Sequence, residues 1–339
     1  MRNKLFYFFA GFLLLAIGLF AYHFYAANNA ERTLDETIQE ITKKSQLNLN
    51  IDYSSIEVSP FSGDIHISDI NIFHDQAIQR AASARFDLTY SDFLNFMLWG
   101  AESGLKQVET AKLDLRSISY TNRETFLEVK LDTMRVNYSG NLWDLVVISM
   151  TQRPTQLQHN IKASGTKFRF YQGESAVGAV SADSLTINAY FGHSASNPDS
   201  LFNSLELSSI TWTPPKSIQQ QYQFFIQGFG YQADSIPLRS ASLIYRNTLE
   251  DNLLSVKDMS INSELFTVSI DGYVMLDTDQ FNQSNMRNVA IRLHEMSPKF
   301  QNFMQQLEKL MGLQIPGGDS DLQIRLNGPL AKPEFTFKP

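Results

Sequence analysis

The chain predicts a mainly β protein on a single N-terminal transmembrane helix, and three observations carry that reading. Residues Leu5–Phe24 form one uncharged apolar run. From about Leu47 onward apolar residues recur every second position, which is the period of a strand with one apolar and one polar face. Only a few short segments break that alternation, and these read as helices.

The first element is the apolar run. About 20 residues at 1.5 Å each suffice to cross a bilayer core. Arg2, Lys4 and the amino terminus flank it on one side; Asn28, Asn29 and Glu31 follow on the other. Positive charge stays on the cytoplasmic side. The expected topology is therefore a cytoplasmic tip at 1–4, an anchor at 5–27, a juxtamembrane helix at 28–46 and an exported domain at 47–339. The localisation that follows is single-pass in an inner membrane, N-terminus inside, with the bulk periplasmic. A cleaved signal peptide is the rival. Tyr22, His23, Phe24 and Tyr25 form an aromatic belt that favours retention, while Tyr25–Ala30 leaves cleavage open.

Within Glu31–Ser45, Leu34, Ile38 and Ile41 fall on one helical face, so this segment is expected to lift the domain off the membrane. The strands come next. Ile65/Ile67, Leu113/Leu115, Val129/Leu131, Met134/Val136/Tyr138, Phe168/Phe170 and Leu185/Ile187 alternate with polar neighbours. So do Leu243/Tyr245, Val268/Ile270, Val274/Leu276, Val289/Ile291/Leu293 and Leu322/Ile324/Leu326. Without regular helices between most of them, the sheet should be largely antiparallel.

Three helices interrupt. Ser91–Gly100 has a Ser or Asp cap, a Gly stop and apolar residues nearly all round. Leu142–Met150 is similar. Ser297–Met311 is capped by Ser297, starts at Pro298 and ends before Gly312, with Phe300, Phe303, Met304 and Leu307 on one stripe. Gly192–Ser200 and Thr213–Gln221 read as surface loops. No linker divides the chain, so one domain is expected.

Composition excludes several classes. With no cysteine there is no disulfide framework, thiol nucleophile or thiolate metal site. A net charge of −7 without a basic cluster argues against nucleic acid. Six histidines include no metal-binding pair; His66 and His74, eight apart with Asp69 between, could share a strand face, but half-exposed strand histidines explain them. Asp277–Asp279 and Gly317–Asp321 lack calcium-loop spacing and read as turns. No GxSxG, Walker or Rossmann pattern occurs. No enzyme, metal or cofactor is expected.

A faint repeat remains. Leu88-Thr-Tyr-Ser91 precedes the first apolar helix and Val136-Asn-Tyr-Ser139 the second; new strands follow at Lys112–Leu115 and Lys167–Phe170. Together with the paired segments Ile51–Val58 and Gly63–Ile70 and the ending Leu326-Asn-Gly-Pro-Leu-Ala-Lys-Pro-Glu-Phe-Thr-Phe337, this arrangement resembles the AsmA-like family of envelope proteins, TamB-type relatives included. The resemblance is best at the two ends and over Ile51–Phe170. It implies an elongated, curled sheet, a β-groove apolar inside and polar outside, linked to phospholipid transport or outer-membrane homeostasis. About a dozen strands at ~4.8 Å would make a groove of only ~60 Å. The acyl-chain candidates are Leu113, Leu115, Met134, Val136, Phe168, Phe170, Leu185, Ile187, Val268, Ile270, Ile324 and Leu326. Phe96, Trp99, Phe303, Met304 and Leu307 are candidates for a plug or a membrane contact. The expected partners are phospholipid or another acyl-chain lipid, the membrane and envelope proteins. Periodicity is the same for an open groove and a packed sandwich. A scaffold of an envelope machine, similar to a type II secretion N component, is the alternative.

Overall fold

The structure, a computed structural model, describes residues 25, 28–29, 31–36, 38–39, 42–43, 49–59, 62–93, 95, 104–151, 157–172, 178–191, 202–248, 253–277, 283–311 and 321–338. The expected anchor at Leu5–Phe24 lies outside them. Among the described residues no helix is long and apolar enough to cross a membrane.

Helical residues at 25, 28–29, 31–36, 38–39 and 42–43 form α1, and those at 90–93 and 95 form α2. The strands are β1 (Leu49–Asp52), β2 (Ser55–Val58), β3 (Ile65–His74), β4 (Ala77–Asp87), β5 (Thr110–Asn122), β6 (Leu127–Ser139), β7 (His159–Gln172) and β8 (Ala179–Phe191). They continue with β9 (Asn203–Thr213), β10 (Ile236–Thr248), β11 (Leu253–Asn262), β12 (Thr267–Met275), β13 (Asn285–His294), β14 (Leu322–Pro329) and β15 (Glu334–Lys338). The remaining helices are α3 (Leu142–Thr151), α4 (Lys216–Gly228) and α5 (Pro298–Met311).

All fifteen strands join one antiparallel sheet that is not closed into a barrel. Its order is β1-β3-β4 and then sequential to β15, with β2 also paired to β3. The protein is thus mainly β with a few short helices. Among the described residues the strand–helix–strand unit read twice in the sequence occurs four times: β4–α2–β5, β6–α3–β7, β9–α4–β10 and β13–α5–β14. Helix α4 corrects the loop expected at Thr213–Gln221. Pro214 and Pro215 suggest a loop, but Pro215 is the N-cap and its carbonyl accepts the first helical hydrogen bond, from Gln219 N–H at 3.0 Å. The loop expected at Gly192–Ser200 lies outside the described residues.

Contacts divide the chain into two compact units. The first holds the described residues of Met1–Arg123, Thr133–Ile161 and Phe191–Ser194; the second holds those of Glu124–Asp132, Lys162–Tyr190 and Ala195–Pro339.

In the first unit Val58, Ile65, Leu88, Phe93, Val108, Ala111 and Tyr138 form a buried cluster. Phe93 reaches it from α2, which Thr89 caps by accepting the Asp92 N–H at 3.2 Å, so the cap is neither Ser91 nor Asp92. Gly63 makes room for it: at φ +76° its missing Cβ would sit 2.9 Å from Phe93 Cβ. Helix α1 is docked on this body. Leu34 packs against the cluster, Glu31 accepts the Val58 N–H at 3.0 Å, and Tyr53 donates its hydroxyl to Asp35. Burial first, then that bond and the Asp35 charge, push the Tyr53 phenol up to about 12.

In the second unit the core is aromatic. Leu265, Met296 and Phe300 are buried, with Phe229, Phe266, Phe303 and Met304 packed around them. Ser297 caps α5 by accepting the Phe300 N–H at 3.3 Å, as the sequence predicts.

One feature of the strands is absent from simple alternation. Asp69, Ser117, Lys167, Ser209 and Asn288 have left-handed backbone, at φ between 51° and 54°, in the middle of β3, β5, β7, β9 and β13. At each of these levels the apolar phase slips by one residue. Leu207 and Ile210, three apart, both face the apolar side, paired with Leu185 and Ala182 on β8. The outward Ser209 and Asp183 lie between them. True bulges, two residues against one, sit at Val256/Met259 and Met286/Val289. Such insertions bend a strand and strengthen its twist.

Candidate functional site: an apolar sheet face

Directly opposed residues of an antiparallel pair point to the same side of the sheet. In the second unit the register therefore builds rows. Ile187 faces Leu205, and the row continues through Leu243, Met259, Ile270 and Ile291 to Ile324. A parallel row links Leu185, Leu207, Ala241, Ile261, Val268, Leu293 and Leu322. Leu326 lies between Val289 and Phe335. Phe168 and Phe170 alternate with the exposed Lys167, Arg169 and Tyr171. In the first unit shorter rows run Ile65–Phe86–Leu113 and Ile67–Ala84–Leu115, and Met134 and Val136 alternate with exposed Arg135 and Asn137.

Burial distinguishes this face from an ordinary core. Leu185 is buried, but Leu113, Leu115, Met134, Val136, Phe168, Phe170, Ile187, Val268, Ile270, Ile324 and Leu326 are only partly so. A second sheet packed at about 10 Å would cover such side chains fully. Among the described residues every strand belongs to the one sheet.

The opposite face is polar and carries ion pairs: Arg85–Asp64 at 2.7 Å, Arg135–Asp114 at 2.9 Å, Lys167–Asp183 at 2.7 Å and Arg292–Asp271 at 2.6 Å. The hydrogen bond to Asp183, then its charge, raises the Lys167 pKa. The most exposed of these pairs, Arg135–Asp114 and Lys167–Asp183, contribute little stability. An open depression of about 480 Å³ is lined by Lys167, Arg169, Ser181, Asp183, Ser209 and Thr211 together with Phe168, Ala182, Ile210, Pro237 and Leu238. Its polar lining follows the phase slip at Lys167 and Ser209.

Of the plug and membrane candidates, Phe303 and Met304 pack on the aromatic core of the second unit. Phe96, Trp99 and the Leu307 side chain lie outside the described residues. His66 and His74 do not share a face: Asp69 at φ 51° reverses the alternation between them. Among the described residues no three acidic or histidine side chains converge as a metal site.

Sequence reasoning missed two features. The first is a polar knot at the start of α3. His159 is 0 % exposed, with Nδ1 at 2.6 Å from the Tyr138 hydroxyl and Nε2 at 2.9 Å from Asp144 Oδ2. Tyr138 also reaches the Asn141 carbonyl at 2.8 Å, which already accepts from Leu145 N–H at 3.2 Å. The hydroxyl thus has one proton and two acceptors. Both ring nitrogens of His159 thereby have a hydrogen-bonding partner, Tyr138 on one side and Asp144 on the other. Burial, then the Asp144 charge, raises the Tyr138 pKa far above that of an exposed phenol. Asn141 completes the knot, accepting the Asp144 N–H at 2.9 Å and donating to Lys106 O at 2.9 Å. No local spacing links Tyr138, Asp144 and His159, so only the fold brings them together.

The second missed feature is α4, whose signal was present. Ile218, Tyr222, Phe225, Ile226 and Phe229 recur at helical spacing behind two prolines.

No protein-family model, curated protein or solved structure matches this chain.

Proposed function

We propose that this chain is an inner-membrane-anchored periplasmic protein that binds acyl chains along the apolar face of its sheet, without covalent chemistry, and assists phospholipid transport or outer-membrane homeostasis. The observation that carries the reading is the unbroken row from Ile187 to Ile324, seven strands wide and only partly buried along its length. An apolar strip of this kind costs free energy in water, and an acyl chain that covers it recovers about 0.8 kcal/mol per buried CH₂. The basic flank Arg2/Lys4 before Leu5–Phe24 supports the topology. The AsmA-like resemblance supports the lipid class and a curled, groove-like sheet.

The full chain, purified in mild detergent, is extracted and its lipid counted against a protein carrying the anchor alone. Bound phospholipid in excess of that control, lost in Leu243→Asn and Ile270→Asn, is the expected result. Equal lipid in both proteins would sink the reading.

A scaffold role is the second reading. It draws on β15, which among the described residues pairs with β14 only and presents Phe335 at 62 % exposure. A free edge of that kind can accept a partner strand. Cross-linking from position 336 to another envelope protein, with no lipid bound, would favour it.

A further inference from the structure

Helix α4 has no buried residue, although it carries a run of aromatic side chains. Phe224 is 84 % exposed, Tyr222 44 % and Phe225 38 %. Single exposed apolar residues are ordinary, but three adjacent aromatics on one short helix form a patch that calls for a cover. The patch is continuous with the interior. Phe225 meets Phe303 of α5 edge-on at 5.7 Å, Phe303 meets Phe229 at 4.7 Å, and Phe300 beside them packs on Phe266 at 4.8 Å. The same cluster includes Leu293, a member of the apolar rows of the sheet. An apolar track therefore leads from the exposed tip onto the proposed acyl-chain face.

Charge selects the occupant. Helix α4 contains no acidic residue and only Lys216; α5 adds Lys299 and Lys309 against Glu308. The helix pair is thus net positive in a chain whose net charge is −7. The rest of the exposed α4 surface is uncharged Gln and Ser. Aromatic rings with polar edges, amides and a few lysines suit the headgroup region of a bilayer, where ring faces enter the acyl boundary and lysines meet anionic lipid.

We propose that the α4–α5 tip docks on an anionic bilayer surface through Tyr222, Phe224 and Phe225. As the mouth of the acyl-chain face, it rests on the reading above; the docking itself does not. Because the chain has no cysteine, Gln221→Cys gives a single site for an environment-sensitive NBD label on the full protein in proteoliposomes. Contact is read as a blue shift and as quenching by brominated phosphatidylglycerol, placed either in the proteoliposome or in added vesicles. The expected result is a shift that vesicles of pure phosphatidylcholine produce weakly. In Tyr222→Ser with Phe224→Ser, about tenfold or more lipid should be needed for the same shift. Phe224 is largely solvated, so these changes leave folding intact. A label at Gln76→Cys, in the exposed β3–β4 turn, should not respond. Absence of a shift, a shift unchanged in the double variant, or cross-linking of position 221 to a protein instead of lipid would overturn the proposal. Lipid extraction from the same preparations reads acyl-chain loading separately, so either idea can fail without the other.

Discussion

The polar knot at α3 makes a sharp test, because one methyl group reaches its Tyr138–His159 bond. Gly140 has φ +145°, where a side chain is strained. A Cβ placed on it would lie 2.8 Å from His159 Nδ1, 2.8 Å from the Tyr138 hydroxyl and 3.1 Å from Gln158 O. None is the far end of a flexible chain. His159 is fully buried, Tyr138 is held by Asn141, and Gln158 O is backbone. Gly140→Ala must then push Tyr138 away from His159. The backbone strain costs about 1–3 kcal/mol. Parting a buried hydroxyl from a buried ring nitrogen adds about 1–3 kcal/mol. The expected loss is about 2–6 kcal/mol.

Gly228 supplies the control. It lies in the last turn of α4 with nothing within 4 Å of its missing Cβ. There alanine should stabilise by up to about 1 kcal/mol, since glycine is the poorer helix former. The two variants are compared by urea unfolding of the full chain in detergent, with the His159 ring followed by NMR. A loss at Gly140 below about 0.5 kcal/mol with an unmoved His159 signal would refute the reasoning, since neither clash nor strain would then be real.

Three further outcomes follow from the same geometry. Ser209→Gly should raise stability by up to about 1 kcal/mol and Ser209→Val should lower it by about 1–2 kcal/mol, since only glycine is unstrained at φ 53°; urea midpoints decide. Leu185→Ala, at a buried position, should cost about 2–5 kcal/mol, while Ile270→Ala on the partly buried face should cost clearly less, about 1–2 kcal/mol. Equal costs would mean that the face is a closed core. Tyr53 and Tyr138 should be among the last tyrosines to ionise in a 295 nm titration. A folded pKa above the ordinary value of 10.0 means that the Tyr53 contribution is complete below that pH and lost as pH rises toward about 12. Tyr53→Phe should flatten the fall in stability over that window.

Much of this fold is legible in the sequence because the sheet depends on alternation. Val129/Leu131 and Met134/Val136/Tyr138 read as separate strand segments, yet both lie on β6. The three-residue step from Leu131 to Met134 breaks the alternation within β6, and the steps from Ile67 to Ile70 and from Leu207 to Ile210 are the phase slips at the left-handed Asp69 and Ser209. Period two marks each half of a strand; it says nothing of the left-handed residue that joins the halves, because serine, aspartate, asparagine and lysine do not advertise φ > 0 as glycine does. Helix α4 was hidden for another reason. Pro214-Pro215 signals a turn, and the five glutamines after it blur the apolar stripe. The His159 knot was beyond reach, since its members lie 15 and 21 residues apart along the chain and meet only when β6, α3 and β7 pack.

The partly buried face bears on how stability and function divide. In a sandwich, each inward side chain is held by neighbours on its own sheet and by the sheet opposite, so changing it for binding also weakens the fold. Here a strand's main partners are the two strands beside it, as in a repeat protein whose stability is a sum of neighbour terms. Those terms come from the backbone ladder and from opposed pairs such as Leu243–Met259 and Ile270–Ile291. The dense packing is instead concentrated in the cluster around Phe93 in one unit and the one around Phe300 in the other. The partly buried residues along the rows, unlike the buried Leu185, are therefore free to vary in size without collapsing a core, provided they stay apolar. A surface with that tolerance suits acyl chains, which differ in length and unsaturation and ask for apolar area, not for directional bonds.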